Sequence, residues 1–280
     1  MDFINKNLKL KYFEKPYPYI IIENFFDEDF FKKIEEGFPS ISDFQNQKNK
    51  INRMHYDTSF KDDLYTKLIN LKIEYKYLHN YIYSNNFINY FLDLFKKDIQ
   101  SEIDENNLKN IFDYKIQCDP YETTKITSKN DIKEQGHNSI LYPRLDLGMG
   151  LIDYGKDTGG KGIHVDNPQR LISILLYLGG YKHIEGGELR IWEKKSENME
   201  LSNSIKPQPN SLVASLQSNL SFHDVNPVTK IEGSRNACYI AISSNNKIWK
   251  SIEDNEFNQR FHKNRVKKKS IITKFKNIFR

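Results

Sequence analysis

The chain has 280 residues, of which 38% are hydrophobic and 13% aromatic, enough to fill a sizeable core and to exclude an intrinsically disordered chain. The net charge of +5 is misleading, because residues 260–280 hold nine Lys or Arg and no acidic residue, which leaves residues 1–259 at −4. A mildly acidic body argues against a nucleic-acid-binding surface.

The sequence shows no pattern typical of a membrane span, a signal peptide or a disulfide framework. No apolar run approaches the roughly 18 to 20 residues needed to cross a bilayer, and the N-terminus lacks the long apolar stretch and small-residue cleavage site of a signal peptide. The two cysteines, Cys118 and Cys238, make neither a disulfide framework nor a CxxC metal site. We therefore expect a soluble, cytoplasmic protein of a reducing compartment.

The N-terminal region reads as a strand followed by helices. PYPYIIIENF is a β-rich run, and the next segment has Asp27 as an N-cap and Gly37 as a stop signal. Residues 62–100 are predicted to be mostly helical. Their clearest apolar stripe at helical spacing consists of Phe87, Ile88, Phe91, Leu94 and Phe95. We assign residues 1–110 to an N-terminal strand and supporting helices packed on a core.

The pattern changes after Leu141, where short apolar runs alternate with Gly, Pro and Asn. The runs are GIHVD, LISILLYL, ELRIWE, SLVASL and ACYIAIS, each of strand length and rich in β-branched or aromatic residues. They predict a β-sandwich or jelly roll rather than a parallel α/β sheet. We assign residues 111–250 to this core, after a polar, loop-like stretch, and residues 251–280 to a polar, then basic tail.

The segment YGKDTGGKGIHVDNP, residues 154–168, has two interpretations. Gly155, Gly160 and Lys161 resemble the start of a phosphate-binding loop. That loop needs a Ser or Thr after the Lys and then a helix, whereas Gly162 and a β-like run broken by Pro168 follow here. The phosphate-loop interpretation is therefore rejected.

The second interpretation is a metal site. Side chains alternate along a strand, so His164 and Asp166 point the same way. Two histidines and one carboxylate on one face of an octahedron leave three positions open, as in non-haem Fe(II) oxygenases. His223, 57 residues after Asp166, is the candidate second histidine. Taken singly, each histidine is equally well explained as a hydrogen-bonded structural residue.

Two further residues belong with this constellation. Arg235 lies 12 residues beyond His223, at the start of an otherwise apolar strand. A guanidinium directed into a sandwich interior needs an anion, which a dicarboxylic co-substrate would supply. Tyr154, ten residues before His164, offers a hydroxyl to the same carboxylate.

In these features the chain resembles the 2-oxoglutarate- and Fe(II)-dependent oxygenases, nearest the prolyl-hydroxylase-like branch. The resemblance covers roughly residues 141–244 and consists of segments in matching order: a Tyr ten residues before HVD, then ISILLYL, GGEL, a Pro-led strand, SFHDVNPV and GSR. The N-terminal YPYIIIENFFDEDFFKKI also looks like the opening strand and helix of such proteins.

The resemblance implies an α+β, mainly β fold, with a double-stranded β-helix (jelly roll) core and N-terminal supporting helices. It implies His164, Asp166 and His223 as iron ligands, and Arg235, assisted by Tyr154, as the site for 2-oxoglutarate. It further implies a dioxygenase that uses O2, with ascorbate (vitamin C) as a supporting reductant. An unactivated C–H bond of a small molecule, or of a peptide residue such as proline, would be hydroxylated, with release of succinate and CO2.

Two other functions remain open from the sequence. One is a jelly-roll metal-binding or interaction module without turnover, although no binding role requires all four of His164, Asp166, His223 and Arg235. The other is oxidative demethylation of nucleic acid, which the acidic body disfavours. The substrate is a small molecule or a peptide of unknown identity, because nothing outside the cofactor residues identifies it.

Several neighbours of the site carry weaker expectations. Asp224 is interpreted as a solvated turn carboxylate, with orientation of His223 as the alternative. Arg144 and Arg170 are each expected in a surface ion pair, with contact to an anionic substrate as the alternative. The polar loop at residues 130–139 is a candidate lid.

The basic tail has an amphipathic pattern, with apolar residues at 271, 272, 275, 278 and 279. Such a helix would make weak contacts with an anionic membrane or a partner through residues 260–280. The alternative is that it docks on its own domain or frays in solvent.

Overall fold

The computed structural model describes residues 3–44, 53–57, 63–106, 110–120, 122, 139–153, 162–196 and 198–249. The strands of this part are β1 (Lys9–Phe13), β2 (Tyr19–Glu23), β3 (Arg53–Asp57), β4 (Lys115–Ile116), β5 (Ile140–Gly150), β6 (Arg170–Glu185), β7 (Leu189–Lys195), β8 (Asn198–Ile205), β9 (Ser211–Leu216), β10 (His223–Val225) and β11 (Lys230–Ser244). Its helices are α1 (Glu28–Glu36), α2 (Ile41–Phe44), α3 (Asp63–Leu71), α4 (Ile73–Ile82), α5 (Asn85–Leu94) and α6 (Lys96–Asn106), with a 3₁₀ turn at Ile111–Asp113.

Helix α1 begins and ends where its capping residues predict. The Asp27 carboxylate accepts a hydrogen bond from the Phe30 amide at 2.9 Å and so satisfies a free N–H of the first turn. At the other end the Gly37 amide donates to the Lys33 carbonyl at 2.9 Å. The predicted strand before this helix is present as β2.

The helical region predicted for residues 62–100 is present as α3 to α6. Ser84 caps α5 by accepting from the Phe87 amide. The predicted stripe is buried except for the partly buried Leu94, which lies at its border. Among the described helices, none is both long enough and apolar enough to cross a membrane.

The strands form two sheets. The larger has the order β1-β2-β9-β6-β11-β5-β3, with β4 beside β5, and the smaller has the order β10-β7-β8. Apart from the parallel pair β4 and β5, the pairings are antiparallel. This mainly β arrangement, with a jelly-roll core and supporting helices, confirms the predicted fold class.

Both faces of the larger sheet are buried at its centre, which explains why its strands are almost continuously apolar. One face packs in the cluster that also contains the helices, through residues such as Leu176, Leu212 and Cys238. The opposite face packs against the smaller sheet, where Tyr177 and Val213 share a cluster with other residues. Ser173 and Ser215 lie on the same face of their strands as Tyr177 and Val213, and both line a cavity on that face.

The sequence prediction differed from the structure in several places, three of which bear on the two sheets around the site. His164 does not lie in a strand, because GIHVD forms only a single antiparallel bridge between His164 and His223. Arg235 lies inside β11, which begins five residues earlier at Lys230. Strand β8 was not predicted, because its sequence NMELSNSI is mostly polar and exposed.

A close contact joins α1 to the middle of β6. Gly179 and Gly180 have positive φ angles of 76° and 86°, a conformation that glycine adopts without steric cost. The Glu35 carboxylate accepts a hydrogen bond from the Gly180 amide at 2.9 Å. It occupies the space that a Cβ at Gly179 would need.

Candidate metal centre

Three predicted site residues lie together in the space between the sheets. The ligand atoms of His164, Asp166 and His223 all fall within 4.8 Å of one another. The two histidines are joined through their backbones: the His164 amide donates to the His223 carbonyl at 3.0 Å, and the His223 amide donates back at 2.9 Å. Residues far apart in the chain therefore become immediate neighbours.

Hydrogen bonds to the backbone define the tautomer of each imidazole. Nδ1 of His164 lies 2.9 Å from the Gly162 carbonyl oxygen, and Nδ1 of His223 lies 2.9 Å from the Ser221 carbonyl oxygen. A carbonyl oxygen only accepts, so each neutral ring carries its proton on Nδ1. The lone pair of each ring is then on Nε2, which is the arrangement of metal-ligating histidines.

Asp166 is held in its ionised form. One carboxylate oxygen accepts a hydrogen bond from Ser173 Oγ at 2.7 Å and lies 2.8 Å from an Arg170 nitrogen. Burial raises the pKa of Asp166, but the positive charge of Arg170, the adjacent imidazoles of His223 and His164 and the Ser173 hydrogen bond outweigh it and hold that pKa well below its usual range. The carboxylate therefore supplies a negative charge beside the two imidazoles.

This donor set fits a non-haem Fe(II) ion. Two imidazole nitrogens and one carboxylate are the ligands that such iron uses, and imidazole and carboxylate both suit a divalent first-row metal. The three residues line a cavity of about 200 Å³, which leaves space on one side of the cluster for other ligands. Tyr17 and Tyr239 also line this cavity.

Arg235 lies in the interior beside two tyrosines. Its relative exposure is 0%, and its Nε donates to the Gly187 carbonyl at 3.2 Å. A terminal nitrogen donates to the Tyr239 hydroxyl at 3.0 Å, and the guanidinium carbon lies 4.9 Å from the centre of the Tyr177 ring. Through Tyr239, the buried cation reaches the wall of the same cavity that holds the histidines.

Tyr177 is a candidate functional residue that the sequence did not single out. Its hydroxyl is buried, and no polar atom of the described residues meets the standard distance and angle for a hydrogen bond to it. Burial raises the pKa of Tyr177 to about 12, even though the charge of Arg235 acts in the opposite direction. Tyr177 comes close to Arg235 because β6 pairs with β11, with Tyr177 opposite Ala237. The local sequence LLYLGG therefore gives no indication of this contact.

Some predicted features lie outside the described residues, and they keep the standing of predictions. These are Tyr154, residues 130–138 of the candidate lid and the basic segment at residues 260–280. The phosphate-loop interpretation fails on described residues, because no helix follows position 161: the chain from Gly162 to Gln169 has no helical residue.

Asp224 differs from its interpretation as a solvated turn carboxylate. It is only 7% exposed and lies in β10 opposite Arg190 of β7. Arg190 binds both carboxylate oxygens, one of them from Nε at 2.8 Å, and the Trp192 indole N–H donates to one of them at 2.9 Å. The interpretation was wrong because the sequence did not show that β7 presents a cation and an indole to this position.

The two flanking arginines differ in their surroundings. Arg144 forms the expected surface ion pair, 3.5 Å from Asp146, with 48% of its side chain exposed. Arg170 does not lie in a surface pair, because its partner is the buried Asp166 and both line the cavity. Its proximity to Asp166 in sequence did not reveal that the tight turn at Asn167–Gln169 brings the two side chains together.

Residues 149–242 match the family described as the 2OG-Fe(II) oxygenase superfamily. Over this segment, 94 of the 280 residues, the chain is similar to that superfamily. The match contains His164, Asp166, His223 and Arg235, and it confirms the resemblance inferred from the motif order. No curated protein sequence matches the chain significantly.

Several solved structures are similar to the chain. A prolyl 4-hydroxylase from Phytophthora capsici is 18% identical, with a TM-score of 0.45, over 80% of this chain and 58% of that protein. A prolyl hydroxylase from Trichoplax adhaerens is 12% identical, with a TM-score of 0.39, over 80% of this chain and 83% of that one. The viral collagen prolyl hydroxylase of Paramecium Bursaria Chlorella virus-1 is 13% identical, with a TM-score of 0.38, over 80% and 94% of the two chains.

Proposed function

We propose that the chain is an Fe(II)- and 2-oxoglutarate-dependent dioxygenase. It hydroxylates an unactivated C–H bond of a small molecule or of a peptide residue such as proline. The observation that carries this proposal is the pair of histidines whose Nδ1 atoms are both bonded to backbone carbonyls. Their Nε2 lone pairs lie beside an ionised aspartate.

His164, Asp166 and His223 would hold the metal through three protein ligands and leave the remaining positions for small molecules. When bound, Fe(II) supplies the activation of O2 that couples decarboxylation of 2-oxoglutarate, to succinate and CO2, with insertion of one oxygen atom into a C–H bond. The chain itself contributes binding, orientation and charge. Ser173 and Arg170 hold the Asp166 carboxylate in place, and the cytoplasmic reductant ascorbate would keep the iron reduced.

Arg235 would bind the distal carboxylate of 2-oxoglutarate. A guanidinium presents two parallel N–H donors that match a carboxylate, and the pairing is strong in a buried site. The hydroxyls of Tyr177 and Tyr239 lie next to this cation, so they are placed to donate further hydrogen bonds. Tyr154 remains a further candidate for this role.

Apolar side chains also line the cavity that holds the candidate metal ligands. Leu175, Ile191 and Val213 all line the cavity between the sheets. They would pack against the carbon chain of 2-oxoglutarate and exclude water from the metal. The substrate would enter from the side where Arg170 and Asp146 line the cavity.

Succinate formation tests the proposal. Purified protein with Fe(II), ascorbate and O2 should convert 2-oxoglutarate to succinate slowly without added substrate, and candidate small molecules and prolyl peptides should raise the rate. His164→Ala should abolish the succinate, whereas His183→Ala, an exposed histidine paired with Glu185, should leave it unchanged.

A second measurement separates catalysis from binding. Anaerobic addition of Fe(II) and 2-oxoglutarate should produce a visible charge-transfer absorption in the wild-type protein and none in His164→Ala. Absence of both this absorption and succinate would sink the oxygenase proposal and favour a module without turnover.

A further inference from the structure

A buried polar network occupies the turn between β9 and β10. Gln217 is only 2% exposed, and its amide nitrogen donates to Ser215 Oγ at 2.8 Å. Its amide oxygen lies 3.1 Å from Ser221 Oγ, whose single hydrogen is shared with the Ser218 carbonyl oxygen at 2.8 Å. Ser221 Oγ also accepts from the Ser218 amide at 3.1 Å, and Ser218 Oγ accepts from the Leu220 amide at 3.1 Å. These side-chain hydrogen bonds therefore hold the turn closed.

This turn ends on one of the candidate metal ligands. The carbonyl oxygen of Ser221, the fully buried residue bonded to Gln217, accepts the Nδ1 hydrogen of His223 at 2.9 Å. The path from the Gln217 amide to the imidazole thus contains one side-chain hydrogen bond, one residue of backbone and one further hydrogen bond. A shift of the Ser221 carbonyl would turn the ring or release its proton to the other nitrogen.

The same network reaches toward the aspartate. Ser215 of β9 is paired with Ser173 of β6, and Ser173 donates to the Asp166 carboxylate. The two serines stand side by side on the inward face of the larger sheet and both line the cavity. Supports for Asp166 and for His223 therefore meet on neighbouring strands.

A buried amide is costly unless its donor and acceptor are both used, and an apolar side chain would fill this position with less penalty. Gln217 meets that condition, because its amide nitrogen donates to Ser215 Oγ and its amide oxygen shares the Ser221 hydroxyl hydrogen with the Ser218 carbonyl. The network closes the turn, and closing the turn also fixes the Ser221 carbonyl that bonds to His223.

We infer that Gln217 is a positioning residue of the metal centre, which orients His223 through the Ser221 carbonyl. This inference rests on the proposed function, since it assumes that His223 binds a metal. Gln217 touches neither the metal nor a substrate in this role. It acts by keeping the Nε2 lone pair of His223 directed at the ion.

The test is binding of Mn(II), a redox-stable substitute for Fe(II), to metal-free full-length protein. Gln217→Leu keeps the volume and removes both hydrogen bonds. We expect its Mn(II) affinity to fall roughly 10- to 100-fold, the range for loss of a residue that supports a metal ligand. The matched control is Gln208→Leu, whose side chain is exposed before β9, and its affinity should equal that of the wild type.

Water proton relaxation by the bound Mn(II) adds a readout that a general loss of stability would not change. If His223 swings away, a water takes its place, so the relaxation enhancement of Gln217→Leu should rise toward that of His223→Ala. Circular dichroism of the metal-free proteins should be the same for wild type and both Gln variants. Ser221→Ala is the second variant, for use if Gln217→Leu does not fold. It keeps the Ser221 carbonyl and loses the side-chain contact with Gln217, and the same changes in affinity and relaxation are expected.

The outcomes distinguish the two proposals. A wild-type protein that binds Mn(II) no better than His164→Ala overturns the proposed metal site and this inference with it. Tight binding by the wild type, with Gln217→Leu within about twofold of it and an unchanged relaxation enhancement, overturns only the role of Gln217.

Discussion

The backbones of His164 and His223 exchange a pair of hydrogen bonds, N to O at 3.0 and 2.9 Å, in an isolated bridge between the segment that holds His164 and the first residue of β10. Their imidazole centroids lie 4.6 Å apart. Because the bridge uses only main-chain atoms, either side chain can be removed without breaking it. The site therefore permits separate tests of metal binding and of folding.

His164→Ala and His223→Ala should each lower Mn(II) affinity by at least about 100-fold, more than the loss of a supporting residue. Their unfolding midpoints without metal should stay close to that of the wild type, because the backbone bridge remains. Isothermal titration and thermal melts of the same samples check both statements. A variant with wild-type affinity would contradict the assignment of that histidine.

Arg235→Gln should weaken 2-oxoglutarate binding and leave the metal ligands in place. Charge-assisted hydrogen bonds contribute about 1.5 to 3 kcal/mol, so the apparent KM for 2-oxoglutarate should rise roughly 10- to 100-fold. Steady-state succinate assays measure this change, and Mn(II) titration should show wild-type metal affinity. Arg144→Gln at the exposed ion pair is the control; an equal rise in both variants would exclude a specific role for Arg235.

Asp224 and Arg190 should stabilise the protein as a pair. Removing one partner of a buried pair leaves the other charge uncompensated, so Asp224→Ala should lower the free energy of unfolding by about 2 to 4 kcal/mol. The double variant Asp224→Ala/Arg190→Met should be more stable than Asp224→Ala alone. Urea denaturation measures both.

The control for that pair is Glu200→Gln at the exposed pair with Lys195, which should change the free energy of unfolding by less than about 1 kcal/mol. A double variant less stable than the single variant would show that Arg190 stabilises the sheet without Asp224.

His79 should make stability depend on pH. Burial lowers the pKa of His79 to about 4, and the Tyr65 hydroxyl lies 2.9 Å from its Nδ1. Protonation therefore favours the unfolded chain, whose histidine pKa is near 6.5. The stabilising contribution is fully present above about pH 6.5 and is lost as the pH falls toward 4, with a slope of at most about 1.4 kcal/mol per pH unit.

Urea denaturation at about pH 7.5 and about pH 5 checks this expectation. His79→Gln should lose less stability between the two values than the wild type. His183→Gln, at an exposed histidine, should follow the wild type. Identical losses in all three proteins would exclude His79 as the cause.

The sequence was sufficient where a feature depends on local chemistry or on motif order. Asp27 and Gly37 defined α1 because capping is satisfied within one helical turn. The metal candidates were identified because their spacing resembles a known family, and the structure brings His164, Asp166 and His223 together.

The rest depends on strand pairing, which a single sequence does not reveal. Tyr177 meets Arg235 only because β6 and β11 are neighbours, and Asp224 is buried only because β7 presents Arg190 to it. Gln217 reads as an ordinary polar turn residue. Its hydrogen bonds to Ser215 and Ser221 appear only once the turn is folded.

The contact between Glu35 and Gly179 has an evolutionary consequence. A Cβ at position 179 would collide with the Glu35 carboxylate, and the positive φ angle there already disfavours other residues. Substitutions at positions 35 and 179 are therefore expected to occur together. Among natural variants of this chain, a side chain at 179 should appear only together with a shorter residue at 35 and a changed backbone in the middle of β6.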